Sequence, residues 1–259
     1  MKVAMLGSGS AGNSTFIETD GIRFLIDAGF SGKQIKEKLE KIDIDARTLS
    51  ALLITHEHGD HIKSAGILSR RYDIPIYINE ISYKKASGKL GKIKEENLKF
   101  IKKDFKLGET ISVSPFEVLH DAEATMGFSI ENSKKKKLTL ATDIGYITNI
   151  VKSKFENSDV IIIESNYDYQ MLMQGPYPWD LKNRVKGRNG HLSNADTAKF
   201  IENIYNERLQ KAFLVHISKD NNTYELAQKT TQTYLKEKNI ELELEVVKQE
   251  VGTGIFEIK

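Results

Sequence analysis

Residues 51–61 read ALLITHEHGDH, an apolar run that leads directly into three histidines and one aspartate. The run at 51–55 predicts a buried strand, and the pattern at 62–72 predicts a helix. A loop between a strand and a helix is held at both ends, which suits the side chains of a functional site. We therefore take this junction as the centre of the expected fold.

The histidines of the junction predict metal binding. In an extended stretch the side chains of His56 and His58 point to the same side, so both imidazoles can reach one ion. Asp60 and His61 follow after the chain turns and can serve a second ion beside the first. The alternative is a solvent-exposed polar loop with chance histidines. Because the chain has no cysteine, disulfides and thiolate ligands are excluded, and the remaining ligands suit Zn²⁺ or Mn²⁺.

The other three histidines also lie at the ends of predicted elements. His120, Asp143 and His216 each come at the end of a short apolar strand. His191 lies in a polar loop before a helix that Asn194 could cap. Each of these residues alone is typical of a cap or a surface position. Taken together, they predict that one sheet edge collects all of these side chains.

Strands and helices occur in both halves of the chain, without a linker or repeat. This pattern predicts one domain over residues 1–259, of class α/β (α+β), with two packed sheets and helices outside. The predicted strands are 2–6, 15–18, 22–26, 51–55, 74–78, 110–119, 127–130, 137–142, 159–164, 211–216, 241–247 and 254–258. The predicted helices are 33–42, 62–72, one that starts near 194, and 223–237.

The composition is that of an ordinary globular protein, with 39% hydrophobic and 29% charged residues among 259. A net charge of +2 argues against a protein that coats nucleic acid through bulk charge, but it allows a local basic patch. The sequence has no signal-peptide layout and no run near the ~18 apolar residues of a membrane span. We therefore expect a cytoplasmic protein without a membrane partner.

Residues 55–61 resemble the HxHxDH signature of the metallo-β-lactamase superfamily. Further matches in the expected order are His120, Asp143 and His216, and Asp27 in LIDAG matches the first acidic motif. The resemblance covers nearly the whole chain. It implies a four-layered αββα sandwich with two divalent ions, Zn, Mn or Fe, at one edge.

The resemblance also implies which residues hold each ion. The first ion would be bound by His56, His58 and His120. The second would be bound by Asp60, His61 and His216. Asp143 would bridge the two ions, and Asp27 would orient a ligand histidine. Such an ion pair can lower the pKa of a bridging water and clamp the oxygens of a displacement reaction.

His191 favours a phosphodiesterase. Residues 190–193, GHLS, resemble the extra histidine motif of the tRNA 3′-processing endonucleases and the ribonuclease J group. By that resemblance His191 contacts the scissile phosphate or protonates the leaving oxygen, and Glu164 orients it. With Asp60, these are the residues expected to act in catalysis. An alternative makes His191 the metal ligand and His216 the outer residue.

Two segments are candidates for substrate binding. The loop 7–14, GSGSAGNS, has small residues that would let backbone N–H groups approach a phosphate, and a flexible hairpin entry is the other interpretation. Its candidates are Ser8, Ser10 and Asn13. The segment 175–190 is expected to be irregular and basic, with aromatic residues among the cations, which suits a nucleic-acid strand. Its candidates are Lys182, Arg184 and Arg188.

The order of all these motifs is similar to that of the YycJ/WalJ-like group. This resemblance implies a metal-dependent phosphodiesterase that acts as a 5′→3′ DNA exonuclease and is linked to DNA repair. Two alternatives stay open: a hydrolase of a thioester, lactone or cyclic phosphodiester, and a metal-stabilised binding module without turnover. The metal, the cleavage polarity, the choice of DNA or RNA and the oligomeric state also stay open.

Overall fold

Two seven-stranded sheets form the frame of the protein in a computed structural model that describes residues 1–259. The first sheet contains, from edge to edge, β14 (Phe256–Glu257), β1 (Lys2–Gly7), β2 (Ser14–Thr19), β3 (Ile22–Ile26), β4 (Ala51–Leu53), β5 (Ile76–Ile78) and β6 (Leu98–Phe100). The second contains β13 (Glu243–Val246), β12 (Lys211–Val215), β11 (Val160–Glu164), β10 (Lys137–Ala141), β9 (Thr125–Glu131), β8 (Ile111–Val118) and β7 (Phe105–Leu107).

The direction of the strands explains where a site can form. In the first sheet β3, β4, β5 and β6 run parallel, and in the second β10, β11, β12 and β13 do so. β8 and β10 both pair antiparallel with β9, so these two also share one direction. Parallel strands end at the same edge of a sheet, so the residues that follow them meet there.

Helices connect the strands and cover the outer faces. They are α1 (Gly32–Glu40), α2 (Gly59–Ile62), α3 (Ala65–Tyr72), α4 (Glu80–Leu90), α5 (Asn149–Phe155), α6 (Tyr169–Gln174), α7 (Trp179–Val185), α8 (Asn194–Ile204) and α9 (Tyr224–Glu237). Short 3₁₀ turns lie at Ala46–Thr48 and Glu95–Asn97. None of the helices has both the length and the apolar character that crossing a membrane requires.

The alternation of buried residues along the strands produces four layers. In β1, Val3 and Met5 belong to the core between the two sheets, whereas Ala4 and Leu6 pack with Ile35 of α1 on the outer face. The second sheet likewise has a separate core on its other face, shared with α5, α8 and α9. Because side chains alternate along a strand, each sheet has one face for its partner and one for helices. The predicted αββα sandwich is confirmed.

Three local predictions were wrong. The helix predicted at 62–72 starts at Gly59 and breaks, because the Ser64 N–H donates to the carbonyl of Ala28 (2.9 Å). The segment 175–190 is not wholly irregular, since it contains α7, which begins directly after Pro178. α8 is capped by Ser193 rather than Asn194, and the Ser193 Oγ accepts from the N–H of Asp196 (3.1 Å).

Candidate metal centre

The ends of six strands place the predicted site residues along one rim of the sandwich. Asp27 follows β3, and the 56–61 loop lies between β4 and α2. In the second sheet His120 follows β8, Asp143 follows β10 and His216 follows β12, while Glu164 is the last residue of β11. Loops from both sheets therefore meet at the rim, as the sequence predicts.

Three of these residues have a left-handed backbone. The φ angles are 61° at Asp27, 57° at Asp143 and 57° at His216. Residues other than glycine adopt this conformation rarely, at a cost of about 1–3 kcal/mol each, and often at functional sites. The turn redirects each chain immediately after its strand. No sequence pattern indicated this.

The structure brings the predicted ligands together in groups of three. In each group, one potential ligand atom from every residue lies within 4.8 Å of the others. One group is His56, His58 and His120; another is Asp60, His61 and His216. Asp143 forms a third group with His56 and His61, and so lies between the first two. This arrangement suits two neighbouring cations.

The buried polar atoms of the centre fit a metal ion. His56 Nε2 and Asp143 Oδ2 are buried, and neither has a hydrogen-bond partner. An unpaired buried polar atom is costly, by about 1–3 kcal/mol. A metal ion would satisfy both atoms, and the donor set of imidazoles and carboxylates is one that Zn²⁺, Mn²⁺ or Fe²⁺ accepts.

Outer residues hold the imidazoles of the 56–61 loop. Asp27 Oδ2 lies 2.7 Å from His61 Nδ1, and both Asp27 oxygens accept from Thr55, from its N–H and its hydroxyl (both 2.8 Å). Thr55 Oγ1 also lies 3.0 Å from His56 Nδ1. The Nδ1 atoms of His56 and His61 are thus engaged, which leaves Nε2 of these two rings for the centre. Thr55 was not among the predicted site residues, although its place directly before His56 was a usable signal.

The histidines of the second sheet are held in the same way. His120 Nδ1 lies 3.2 Å from the carbonyl oxygen of Gly190, and His216 Nδ1 lies 3.3 Å from Glu164 Oε1. Asn166 Nδ2 donates to the carbonyl of His216 (2.7 Å) and fixes its backbone. The sequence did not indicate Gly190 and Asn166, because each contacts a residue that is far away in the chain and comes close only in the folded protein.

The charges of the centre attract cations. Burial lowers the pKa of His56 well below its usual value, and the neighbouring His61 adds to this effect. Burial also favours the neutral ring of His61, but the charges of Asp27 and Asp143 outweigh it and hold that pKa well above the usual value. Burial would raise the pKa of Asp143, yet His216 and His61 hold it well below normal. Positive charge therefore stabilises the centre, and either protons or metal ions can provide it.

His191 forms a close pair with a buried carboxylate. Its Nδ1 lies 2.6 Å from Glu164 Oε1, and the rings of His120 and His216 are each 5.3 Å away between centroids. The His191 side chain is 21% exposed, whereas Glu164 is completely buried. Burial would raise the pKa of Glu164, but the charge and hydrogen bond of His191 hold it below the usual value. The carboxylate is therefore ionised and fixes the ring.

Two of the three substrate-binding candidates in the loop 7–14 are buried, which corrects the prediction for Ser8 and Asn13. Ser8 and Asn13 are each only 4% exposed. Ser8 Oγ donates to Asn13 Oδ1 (2.8 Å) and accepts from the N–H of His216 (3.0 Å). Both side chains are thus used inside the protein, because the loop packs against the metal ligands. Ser10 remains exposed.

The basic segment contains one further correction. Lys182 is 9% exposed and its Nζ donates to the carbonyl of Met173 (2.8 Å), so it is turned away from any substrate. Arg184 is 67% exposed and forms an ion pair with Asp121, directly after His120. Arg188 is exposed, and its guanidinium lies over the ring of Tyr146. Two of the three cations therefore stay at the surface.

Known proteins resemble this chain in sequence and in fold. The family described as Beta-lactamase superfamily domain matches residues 22–217. Exodeoxyribonuclease YycJ of Bacillus anthracis is 36% identical over 91% of this chain and 89% of its own length. Exodeoxyribonuclease WalJ of Streptococcus pneumoniae is 38% identical over 92% and 90%. The crystal structure of the metallo-beta-lactamase fold protein YhfI from Bacillus subtilis matches with a TM-score of 0.72 at 16% identity, covering 98% of both chains. The chain therefore belongs to the metallo-β-lactamase superfamily and, within it, to the YycJ/WalJ-like group of metal-dependent hydrolases.

Proposed function

We propose that this protein is a metal-dependent phosphodiesterase that removes nucleotides from DNA in the 5′→3′ direction. The observation that carries the proposal is the His191–Glu164 pair beside the ligand groups. A hydrolase of small esters needs the ions and their ligands, but it has no need for an additional buried carboxylate–imidazole pair at the rim. The names of the two bacterial relatives support DNA as the substrate, and the polarity follows from the resemblance to their group.

Two divalent ions would be held by the ligand groups described above. His56, His58 and His120 would hold the first, and Asp60, His61 and His216 the second. Asp143 would contact both, since it belongs to a group that draws on both sets. When bound, the ions would supply an activated water molecule and positive charge beside the phosphate oxygens.

The chain's own residues would position the phosphate, orient the attacking water and donate a proton. Ionised Glu164 accepts a hydrogen bond from His191 Nδ1, so Nε2 is the ring nitrogen that faces away from this carboxylate. In the imidazolium form, Nε2–H would donate to a phosphate oxygen or give its proton to the oxygen of the leaving nucleotide, which leaves the neutral ring with its Nδ1–H still bonded to Glu164. Asp60, as a carboxylate ligand, would orient the attacking water through its free oxygen lone pairs.

His216, rather than His191, is the better candidate for the second ion. His216 shares a group with Asp60 and His61, whereas His191 does not. The side chain of His216 is 7% exposed and that of His191 is 21% exposed, as expected if the latter meets substrate. The opposite assignment has some support too, because His191 lies within 4.8 Å of ligand atoms from His120 and Asp143.

A single variant separates these assignments. His191→Ala should keep two ions per chain by elemental analysis and should lose at least about 100-fold of DNA cleavage, the usual contribution of general acid–base catalysis. His58→Ala is the matched comparison and should lose metal and cleavage together. Loss of one ion from His191→Ala would show that the two histidines have exchanged roles.

The reaction itself is tested with defined substrates. Strands labelled at the 5′ or the 3′ end and incubated with Mn²⁺ or Zn²⁺ should release the 5′ label first as mononucleotides. A thioester and lactone panel should remain unhydrolysed in parallel. Hydrolysis of that panel without DNA cleavage would reject the phosphodiesterase in favour of a small-molecule hydrolase. Metal binding without turnover of any substrate would favour a binding module.

A further inference from the structure

A surface cavity adjoins the loops that carry Asp143 and His191. It has a volume of about 440 Å³ and lies between the loop after β10 and the face of α8 that runs from Asp196 to Asn203. Gly145 and Leu192 both line it; they lie two residues after Asp143 and one residue after His191. A Cβ at Gly145 would lie 2.3 Å from the carbonyl oxygen of Arg188, so the two loops touch without a gap. The cavity is therefore bordered by two loops in close contact, one after Asp143 and one before His191.

The walls of this cavity combine an aromatic ring with positive charge. The Tyr146 side chain is 50% exposed, and the guanidinium of Arg188 lies 4.8 Å from its ring centroid. Lys186 and Lys199 add two more cations to the lining. Asp196 is the lone carboxylate of the lining; its oxygen accepts from the Ser193 hydroxyl (2.6 Å), and the three cations outnumber it. The cavity therefore suits a flat ring joined to an anion.

The floor of the cavity is apolar. Leu192 and Phe200 line it and are only 4% and 3% exposed. Apolar atoms below and cations at the margin match a nucleotide, whose base is flat and largely apolar on its faces and whose phosphate is charged. A volume of this size also accommodates one such unit.

We propose that this cavity binds the nucleotide next to the scissile phosphate of a single-stranded DNA segment. The base lies against Tyr146, and its phosphate contacts Lys186 and Lys199. A single strand is required because a base inside a duplex cannot present its face to a side chain. This proposal rests on the proposed function, since it takes DNA to be the substrate.

Tyr146→Ala tests the stacking contact. We expect kcat/KM for a single-stranded oligonucleotide to fall about tenfold or more, as loss of one base–aromatic stack predicts. The fall should be much smaller for bis(p-nitrophenyl) phosphate, a small diester without a flanking nucleotide. Tyr146→Phe should restore cleavage of the oligonucleotide, because the ring and not the hydroxyl makes the contact. Tyr205→Ala, which removes another exposed tyrosine directly after the C-terminal end of α8, is the control.

Binding is measured separately from cleavage. The anisotropy of a labelled oligonucleotide, recorded in EDTA, should show weaker binding for Tyr146→Ala and for Lys186→Ala/Lys199→Ala. Only the lysine variant should show a reduced dependence of affinity on salt. Equal losses on the oligonucleotide and the small diester, or no loss on either, would overturn the cavity proposal while leaving the nuclease intact. Absence of both DNA binding and DNA cleavage by the unaltered protein would overturn the two proposals together.

Discussion

Asn13 connects the N-terminal loop to several of the proposed ligands. Its Nδ2 lies 3.2 Å from Asp60 Oδ2 and 3.1 Å from His61 Nε2. Its Oδ1 accepts from Ser8, which in turn accepts from the backbone of His216. The Asn13 side chain therefore contacts two of the residues proposed for the second ion directly and the third through Ser8. It was expected to contact substrate instead.

Replacing Asn13 should weaken the second ion selectively. Outer residues of this kind contribute about 10- to 100-fold to metal affinity, so Asn13→Ala should bind one ion normally and the other at least about tenfold more weakly. Competition with a chromophoric chelator measures both affinities. Ser10→Ala, an exposed position in the same loop, is the control. Unchanged affinities in Asn13→Ala would show that Asn13 only shapes the loop.

At the level of single residues, the sequence predicted which side chains could bind metal, but it did not predict which side chains position those ligands. The spacing of His56, His58 and His61 is local, so a pattern carries it. The contacts that Ser8 makes with His216 and that Asn13 makes with Asp60 and His61 are made across the fold. Their polar side chains are common in loops, and nothing in their spacing separates a buried contact from an exposed one.

Among the elements, strands were predicted better than helices. A buried strand such as β11 is a short run of apolar residues and is visible without context. α7 was missed because its sequence is mainly polar, and its Lys182 is covered only through a contact with α6. α4 was missed for a similar reason, since its exposed lysines conceal the few residues that pack.

α9 provides a test of how its first turn is held. The Thr223 Oγ1 accepts from the N–H of Leu226 (3.0 Å) and caps the helix. Thr223→Ala should lower the free energy of unfolding by about 1 kcal/mol, because a helix N–H loses its partner. Urea denaturation measures this change. Thr233→Ala makes the same replacement at an exposed position inside α9 and should change stability by less than about 0.5 kcal/mol.

For the whole molecule, the metal centre depends on the two packed sheets, but the sheets do not depend on the metal centre. The core between the sheets is built from residues such as Phe128 and Phe213, which are fully buried and lie on strands. The centre lies at the strand ends, outside this core, and collects side chains from both sheets. We therefore expect the sandwich to fold without ions, whereas ion binding needs the complete sandwich.

Metal should consequently raise the melting temperature without being required for folding. An ion that binds only the folded chain stabilises it by about 2.7 kcal/mol at 100 times its dissociation constant. Calorimetry should show a higher Tm with Mn²⁺ or Zn²⁺ than in EDTA, with one cooperative transition in both. His58→Ala should show a smaller shift. An identical Tm in both conditions would argue against ion binding at the rim.

The left-handed conformations of Asp27, Asp143 and His216 mean that the most stable backbone and the proposed site require different residues at these positions. Glycine would relax all three backbones, yet it would also remove one carboxylate beside His61, the carboxylate shared by both ligand sets, and one imidazole. A glycine at any of the three positions should therefore raise thermal stability through the backbone and lower metal affinity through the lost side chain.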